Sequence, residues 1–335
     1  MTGDRKSIPA LDGIRGLAAL MVALGHMGNI GHFIEIRGTG QHGVMLFFVL
    51  SGFLMSWLYG NRQTGFSNWV GYGIRRVMRV YPLYLVVVIL AFLAHQLGLS
   101  FIYGAVDRDL MVNLALLRAD YLIFWTIPVE MKFYLAFPVI AVIGGLFATG
   151  WNRVLFYTAV LALMLMIYDV PDRTSLLRGV AFFGFGMLAG TLHHALRAQF
   201  GSSDWIRRIA NAGLLIGLAG LVLTLPPMSA VTGWVNPMWY APLIFGGLYG
   251  VLILSAAHSG RLFSSLFSNP VARFLGHISF AVYLLHLPVL NTVRHFGFSG
   301  ATAFVLDMIG IILLATVFHY LVEKPARRLA RRLSD

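Results

Sequence analysis

Residues 8–28, IPALDGIRGLAALMVALGHMG, are apolar enough to cross a lipid bilayer, yet this stretch contains Asp12, Arg15 and His26. A charged side chain in hydrocarbon is costly, so such residues usually face a cavity and mark a functional site. Arg15 and His26 are eleven positions apart, which places them on one face of a helix with about 16 Å of rise between them. The sequence therefore predicts a first membrane helix with a cation near one end and an imidazole near the other.

This pattern has a simpler alternative. Arg15 can extend its side chain to the nearer membrane interface, and His26 can lie in the opposite headgroup layer. For Arg15 alone both interpretations stay open, whereas the two residues together on one face favour a cavity.

The composition of the chain is that of a multi-pass membrane protein. Of the 335 residues, 58% are hydrophobic and 11% are charged, whereas a soluble domain has about 25% charged residues. The first apolar stretch is long and carries charge, so we expect a retained helix rather than a cleaved leader. The chain has no cysteine, which excludes disulfides and thiolate metal sites.

Apolar runs of about 20 residues predict ten membrane-spanning helices. They lie near 8–28, 42–59, 80–98, 128–148, 153–170, 176–196, 207–225, 237–256, 274–294 and 301–322. The predicted fold class is all-α, a polytopic membrane bundle. We expect a single domain, 1–335, with no separate soluble domain, and segment 110–117 is too short to span.

The distribution of positive charge predicts the orientation of this bundle. Lys and Arg residues are concentrated on the side of the two termini, with 17 there and six on the opposite side. By the positive-inside rule both termini should be cytoplasmic. The net charge of +12 is then a consequence of membrane orientation, and we expect no nucleic acid partner. The basic tail is most simply an anchor on anionic lipid.

Two arginines in 75–82, RRVMRVYP, are candidates for phosphate binding. Arg76 and Arg79 are three residues apart and share a helix face. Guanidinium groups bind phosphate through paired, charge-assisted hydrogen bonds. The alternative is an ordinary positive anchor at the cytoplasmic start of the third span.

The best candidate for proton transfer is His26, which should lie in the outer half of the membrane. Histidine is well suited to general base catalysis near neutral pH. Glu130, near the outer end of the fourth predicted span, could meet His26 and orient it. In the alternative, Glu130 pairs with Lys132 at the interface.

Other polar residues in apolar spans predict a cavity lining. Ser51 lies among small residues that more often serve helix packing, and a nucleophilic role would require an adjacent base. Ser279, Tyr283 and His286 are spaced four and three residues apart and form one polar stripe on a helix. The histidine spacing has no metal-ligand pattern, so we expect no metal site.

Six stretches together resemble the membrane acyltransferase-3 family, and they occur in the order of that family along nearly the whole chain. They are DGIRGLAAL (12–20, with Arg15 and His26 as its Arg-x10-His), HGVMLFFVLSGFL (42–54), RRVMRVYPLY (75–84), FWTIPVEMKFYLAFP (124–138), ISFAVYLLHLPV (278–289) and Glu323-Lys324-Pro325. One such match would be weak, but six in order are specific.

The resemblance implies an integral membrane O-acyltransferase of the bacterial cytoplasmic (inner) membrane. Such a protein takes an acyl group, usually acetyl, from cytoplasmic acyl-CoA and transfers it to a hydroxyl of a carbohydrate or lipid-linked saccharide. The acyl-CoA is a co-substrate, and no permanently bound cofactor is expected. On this hypothesis Arg15, Arg76 and Arg79 hold the acyl-CoA, His26 and Glu130 are catalytic, and Ser51, Tyr283 and His286 line the cavity.

Two other classes of function stay open. Intramembrane Arg and His residues also serve proton relays, so the chain could be a transporter or flippase of an anionic or lipid-linked substrate. The sequence shows no inverted repeat or paired broken spans, which are typical of such transporters. A non-catalytic scaffold would tolerate substitution of Arg15 and His26.

Overall fold

The computed structural model describes residues 8–31, 38–60, 66–146, 150–169, 175–225 and 241–334. Arg5, Lys6, Arg37, Arg62 and Arg173, which contribute to the predicted orientation, lie outside these ranges. The helices, in chain order, are α1 (Pro9–Gly31), α2 (Thr39–Tyr59), α3 (Phe66–Gln96), α4 (Arg108–Ala115), α5 (Thr126–Leu146), α6 (Trp151–Met166), α7 (Leu176–Phe200), α8 (Asp204–Thr224), α9 (Pro242–His258), α10 (Arg261–Ser268), α11 (Pro270–His295), α12 (Gly300–Phe318), a π-helical turn (His319–Glu323) and α13 (Lys324–Ser334).

The helix lengths confirm the predicted all-α membrane bundle. Within the described ranges, eight helices are long and apolar enough to cross a membrane. The helices α6 and α9 are also apolar but have 16 and 17 residues, fewer than the roughly 20 that a span requires. Each of the ten predicted spans coincides with one of these helices, while the orientation of the termini stays a prediction.

Helix α3 begins earlier than the sequence predicts. The apolar run predicts a span that starts near residue 80, with 75–82 at its cytoplasmic start, but the helix begins at Phe66 and spans 31 residues. The arginines therefore lie within the helix rather than at its first turn. Segment 110–117 forms the short helix α4, and Asp107 caps it by accepting a hydrogen bond from the Leu110 amide at 2.7 Å.

Helix α1 lies in the centre of the bundle between α2 and α11. Its apolar face is fully buried, with Ile14 and Ala18 at 0% exposure. A Cβ atom on Gly276 of α11 would collide with the backbone oxygen of Asp12, and one on Gly43 of α2 would collide with that of Ala18. Glycine at these two crossings thus lets both neighbouring helices approach the α1 backbone, which fixes the positions of the polar side chains along α1.

Candidate active site

Arg15 of α1 and Arg79 of α3 line a narrow cavity of about 50 Å³. We call it the inner cavity, because Arg15 lies nearer the predicted cytoplasmic end of α1. Apart from the two arginines and Glu130, its lining is apolar or uncharged: Val44, Phe47, Phe48, Leu50, Ser51, Leu54, Val80, Thr126, Ile127, Ser279, Phe280 and Tyr283. Positive charge at one end of a narrow apolar passage suits a long ligand with an anionic head.

The two arginines of the inner cavity differ in their partners. Arg15 Nη1 donates to Asp12 Oδ1 at 3.0 Å, so this guanidinium is partly neutralised. Arg79 has no carboxylate within ion-pair distance in the part of the chain that the structure describes. Because an uncompensated cation in a largely apolar cavity is costly, Arg79 favours an anionic ligand.

Arg76, one turn before Arg79, has a different environment. Its side chain is buried, and its guanidinium carbon lies 5.7–6.0 Å from the ring centroids of Tyr59, Tyr72 and Tyr134. Three aromatic rings hold this cation by cation–π attraction. The sequence predicts that Arg76 and Arg79 act as a pair, but only Arg79 lines the cavity; phosphate binding by Arg76 stays a prediction.

Glu130 faces the inner cavity from α5. Its Oε1 atom accepts a hydrogen bond from Ser51 Oγ at 3.0 Å and a second from the Tyr134 hydroxyl. The carboxylate therefore provides the neighbour that the sequence could not assign to Ser51. His26 lies in a separate cavity and has a different partner, so Glu130 does not orient it in this geometry. The predicted catalytic role of Glu130 stays untested.

His26 lines a second, larger cavity of about 450 Å³. We call it the outer cavity. Its described polar lining consists of His26, Gln41, Arg178, Tyr283 and Asn291, and Trp125 adds an aromatic surface. The Arg178 guanidinium lies over the Trp125 ring at 5.4 Å. An imidazole, two amides and an indole together suit a polyhydroxylated ligand, since they combine hydrogen bonds with a flat apolar face.

The neighbours of the His26 ring determine where its proton lies. In His286, Nδ1 faces the Tyr283 carbonyl at 2.7 Å, and because a carbonyl only accepts, Nδ1 carries the hydrogen. Its Nε2 atom therefore accepts from His26 Nδ1 at 3.2 Å, and the same His26 nitrogen donates to the Val22 carbonyl at 2.9 Å. These partners assign the Nδ1–H tautomer to neutral His26. Its Nε2 lone pair has no hydrogen-bond partner among the described residues and can take a proton.

This contact is the functional feature that the sequence did not reveal. His286 is fully buried and contributes to the lining of neither cavity, whereas the sequence predicts it as a cavity-lining residue within a polar stripe. The stripe of Ser279, Tyr283 and His286 indicated that this face of α11 is polar. The spacing within this stripe does not show which helix the polar face contacts. His26 and His286 are 260 residues apart, so their contact depends on how the helices pack.

The inner and outer cavities meet at Val44 and Tyr283, which line both of them. The Tyr283 hydroxyl donates to the Ile123 carbonyl at 2.7 Å and accepts from Thr126 Oγ1 at 2.8 Å. These bonds tie α11 to the start of α5. In this conformation a bonded side chain thus separates the guanidinium groups from the imidazole.

Among the described residues, no group of three or more His, Cys, Asp or Glu side chains is placed to hold a metal ion. Ser279 donates to the Gly276 carbonyl at 2.8 Å, which satisfies its hydroxyl within the helix. The described groups that can bind an anion or exchange a proton in the two cavities are guanidinium, carboxylate, hydroxyl and imidazole.

A family model described as an acyltransferase domain matches residues 8–323, which include all the described residues that line the two cavities. "Putative O-acetyltransferase" of Staphylococcus aureus (strain COL) is 24% identical over 369 residues, or 96% of this chain and 57% of that protein. "Peptidoglycan O-acetyltransferase OatA" of Listeria monocytogenes is 23% identical over 360 residues, or 97% of this chain and 56% of that protein.

A further relative, "O-acetyltransferase OatA" of Staphylococcus aureus, is 23% identical over 354 residues and is covered over 57% of its length. The chain thus spans somewhat more than half the length of these curated relatives. No solved structure gives a significant match.

Proposed function

This chain belongs to the acyltransferase domain family, and we propose that it is a membrane O-acyltransferase that uses cytoplasmic acyl-CoA, with acetyl-CoA as the expected donor. The proposed acceptor is a hydroxyl group of a carbohydrate on the opposite side of the membrane. The observation that carries the proposal is the free Nε2 lone pair of His26 in the outer cavity, on the same helix as Arg15 of the inner cavity.

The inner cavity is the proposed donor site. Arg79, which has no described carboxylate partner, and Arg15 bind the diphosphate of acyl-CoA by charge-assisted hydrogen bonds. The pantetheine arm then extends along α1 through the apolar part of the cavity. The distance along the helix from Arg15 to His26 is about 16 Å, so a long, thin arm is required to carry the thioester to the imidazole.

The outer cavity is the proposed acceptor site. Its volume of about 450 Å³ admits a sugar ring, and Gln41, Asn291 and Trp125 offer hydrogen bonds and a stacking surface. The name of the Listeria relative specifies peptidoglycan, a saccharide polymer, which supports a saccharide acceptor here. Lipid-linked saccharides are included in the proposal, because the cavity lies within a membrane bundle.

The proposed reaction is direct transfer with His26 as general base. His26 Nε2 takes the proton of the acceptor hydroxyl while the hydroxyl oxygen attacks the thioester carbonyl carbon. The carbon–sulfur bond then breaks and an ester forms. The imidazolium returns the proton to the leaving thiolate, which departs as the free thiol of CoA. His286 Nε2 and the Val22 carbonyl hold His26 Nδ1–H throughout, so they also stabilise the transient imidazolium.

The test is transfer of radiolabelled acetyl from acetyl-CoA to a saccharide by the purified chain in liposomes. We expect His26→Ala to abolish label transfer, because it removes the base. His295→Ala is the matched control: His295 lies on α11, is exposed and stacks on Phe101 outside both cavities. Normal labelling by His26→Ala would refute the assignment of the base. Movement of unmodified saccharide without label would instead favour the transporter alternative.

A further inference from the structure

The glutamate of the C-terminal Glu-x-Pro segment is buried and accepts hydrogen bonds from two side chains. The chain makes a π-helical turn at His319–Glu323, a distortion that is frequent at functional sites. Glu323 is 1% exposed, and its Oε2 atom accepts from His319 Nδ1 at 2.9 Å and from Arg327 Nη2 at 2.7 Å. The three residues are spaced four apart, so one buried carboxylate fixes the position of the Arg327 side chain on α13.

Arg327 lies beside the cations of the inner cavity. Helix α13 packs against α3, the helix that carries Arg79, and a Cβ atom on Gly71 of α3 would lie 3.2 Å from the Ser334 carbonyl oxygen of α13. In this arrangement the charge of Arg327 interacts with those of Arg79, Asp12 and Arg15. Arg327 does not itself line the inner cavity. We therefore place Arg327 beside that cavity, at its predicted cytoplasmic mouth.

Positive charge is in excess at this mouth. Among the described residues, four guanidinium groups lie close enough to interact electrostatically with at least one other of the set. They belong to Arg15, Arg76, Arg79 and Arg327. The carboxylates nearby are Asp12, Glu130 and Glu323. Glu323 takes one Nη nitrogen of Arg327 and leaves the rest of the fork for another acceptor. A phosphate group of a ligand would supply such an acceptor.

We propose that Arg327, held in place by Glu323, is a further acyl-CoA ligand that binds the ribose 3′-phosphate. This proposal rests on the proposed function. The pantetheine arm enters the cavity first, and the diphosphate follows it to Arg15 and Arg79. The 3′-phosphate lies beyond the diphosphate, on the ribose, so it meets a cation outside the cavity lining. Arg327 lies outside the lining, and its guanidinium keeps donors beyond the one that Glu323 takes.

The rest of the basic tail is different. The neighbouring Arg328 is exposed and has no described carboxylate within ion-pair distance. It fits the expected role of the tail as an anchor on anionic lipid. Arg327, which the sequence groups with the tail, is instead held by a buried carboxylate.

The experiment compares the binding of CoA and 3′-dephospho-CoA to the full chain in detergent, by calorimetry. The wild-type chain should bind CoA about tenfold more tightly than 3′-dephospho-CoA, since a charge-assisted contact is lost. Arg327→Gln should remove this preference and leave affinity for 3′-dephospho-CoA unchanged. Arg328→Gln is the matched control and should keep the preference. Arg327→Lys, which keeps the charge but not the fork, should retain part of it.

Three outcomes would overturn the proposal. In the first, Arg327→Gln and Arg327→Lys both keep the full preference for CoA over 3′-dephospho-CoA. In the second, Arg328→Gln loses this preference as completely as Arg327→Gln does. Arg327→Gln could also weaken both ligands equally with a lower melting temperature, which would show a structural role. If the wild-type chain binds CoA but Arg327→Gln keeps the preference for CoA over 3′-dephospho-CoA, only the present inference fails. If it binds no CoA at all, the proposed function fails as well.

Discussion

The inner and outer cavities lie along the same helix, yet they are built for opposite kinds of ligand. The inner cavity holds about 50 Å³ and combines guanidinium groups with an apolar passage. The outer cavity holds about 450 Å³ and offers amides, an indole and an imidazole. On the proposed function, the first selects the slender anionic donor by charge, and the second selects the broad polar acceptor by hydrogen bonds. This difference is what two-substrate transfer across a membrane requires.

The largest effect should follow from removing the partner of His26 in the outer cavity. We expect His286→Leu to lower kcat about 10²-fold, because general base catalysis contributes about 10²–10⁴-fold and depends on the correct tautomer. His286→Gln, whose amide oxygen can accept from His26 Nδ1, should restore part of the rate. KM for acyl-CoA should stay the same in both variants. A normal kcat in His286→Leu would show that His26 needs no orienting partner.

The next effect belongs to the inner cavity. Arg79→Gln should raise KM for acyl-CoA about tenfold or more, since hydrogen bonds to charged groups are worth about 1.5–3 kcal/mol. KM for the acceptor should not change, because Arg79 lines only the inner cavity. The matched control is Arg75→Gln, one turn earlier on α3 and outside the cavity lining. An equal rise in KM for both substrates would contradict the separation of the two sites.

A smaller effect should come from the boundary between the cavities. Tyr283→Phe keeps the ring but loses the hydrogen bonds to Ile123 and Thr126, each worth about 0.5–1.5 kcal/mol. The boundary should then open more often, and hydrolysis of acyl-CoA without acceptor should rise a few-fold. Release of free thiol in the absence of acceptor measures this directly. Unchanged hydrolysis would show that these hydrogen bonds do not control passage.

The smallest effect, and one of opposite sign, should follow from Glu130→Gln. The amide oxygen can still accept from Ser51 and Tyr134, so the packing is kept. Loss of one negative charge beside the arginines should strengthen their attraction for the phosphates and lower KM for acyl-CoA about twofold. The effect is small because interactions between partly exposed charges are weak. A fall of 10²-fold in kcat would instead establish Glu130 as a catalytic residue.

Much of the fold could be predicted because membrane helices have a strong apolar signal. The ten predicted spans coincide with ten helices, and the position of Arg15 and His26 on one helix face was visible from their spacing. The start of α3 was wrong because composition alone cannot show that Tyr59, Tyr72 and Tyr134 hold Arg76 inside the protein.

The candidate site was harder to predict than the fold. The sequence predicts candidate residues, but which of them pair depends on contacts between helices that are distant in sequence. Glu130 looked like the partner of His26 because both lie in the outer part of their spans. The structure instead pairs Glu130 with Ser51 and His26 with His286. Sequence spacing fixes which residues share one helix face, whereas tertiary packing decides which faces meet.

The boundary at Val44 and Tyr283 has a consequence for the cell that contains this protein. An open channel wide enough for an acyl arm would also conduct water, and with it protons and small ions. A membrane that stores energy as an electrical potential cannot tolerate such a leak. On the proposed function, closure at one tyrosine would let the bundle pass a chemical group while the bilayer stays electrically insulating, and the same side chain would then govern both turnover and ion permeability.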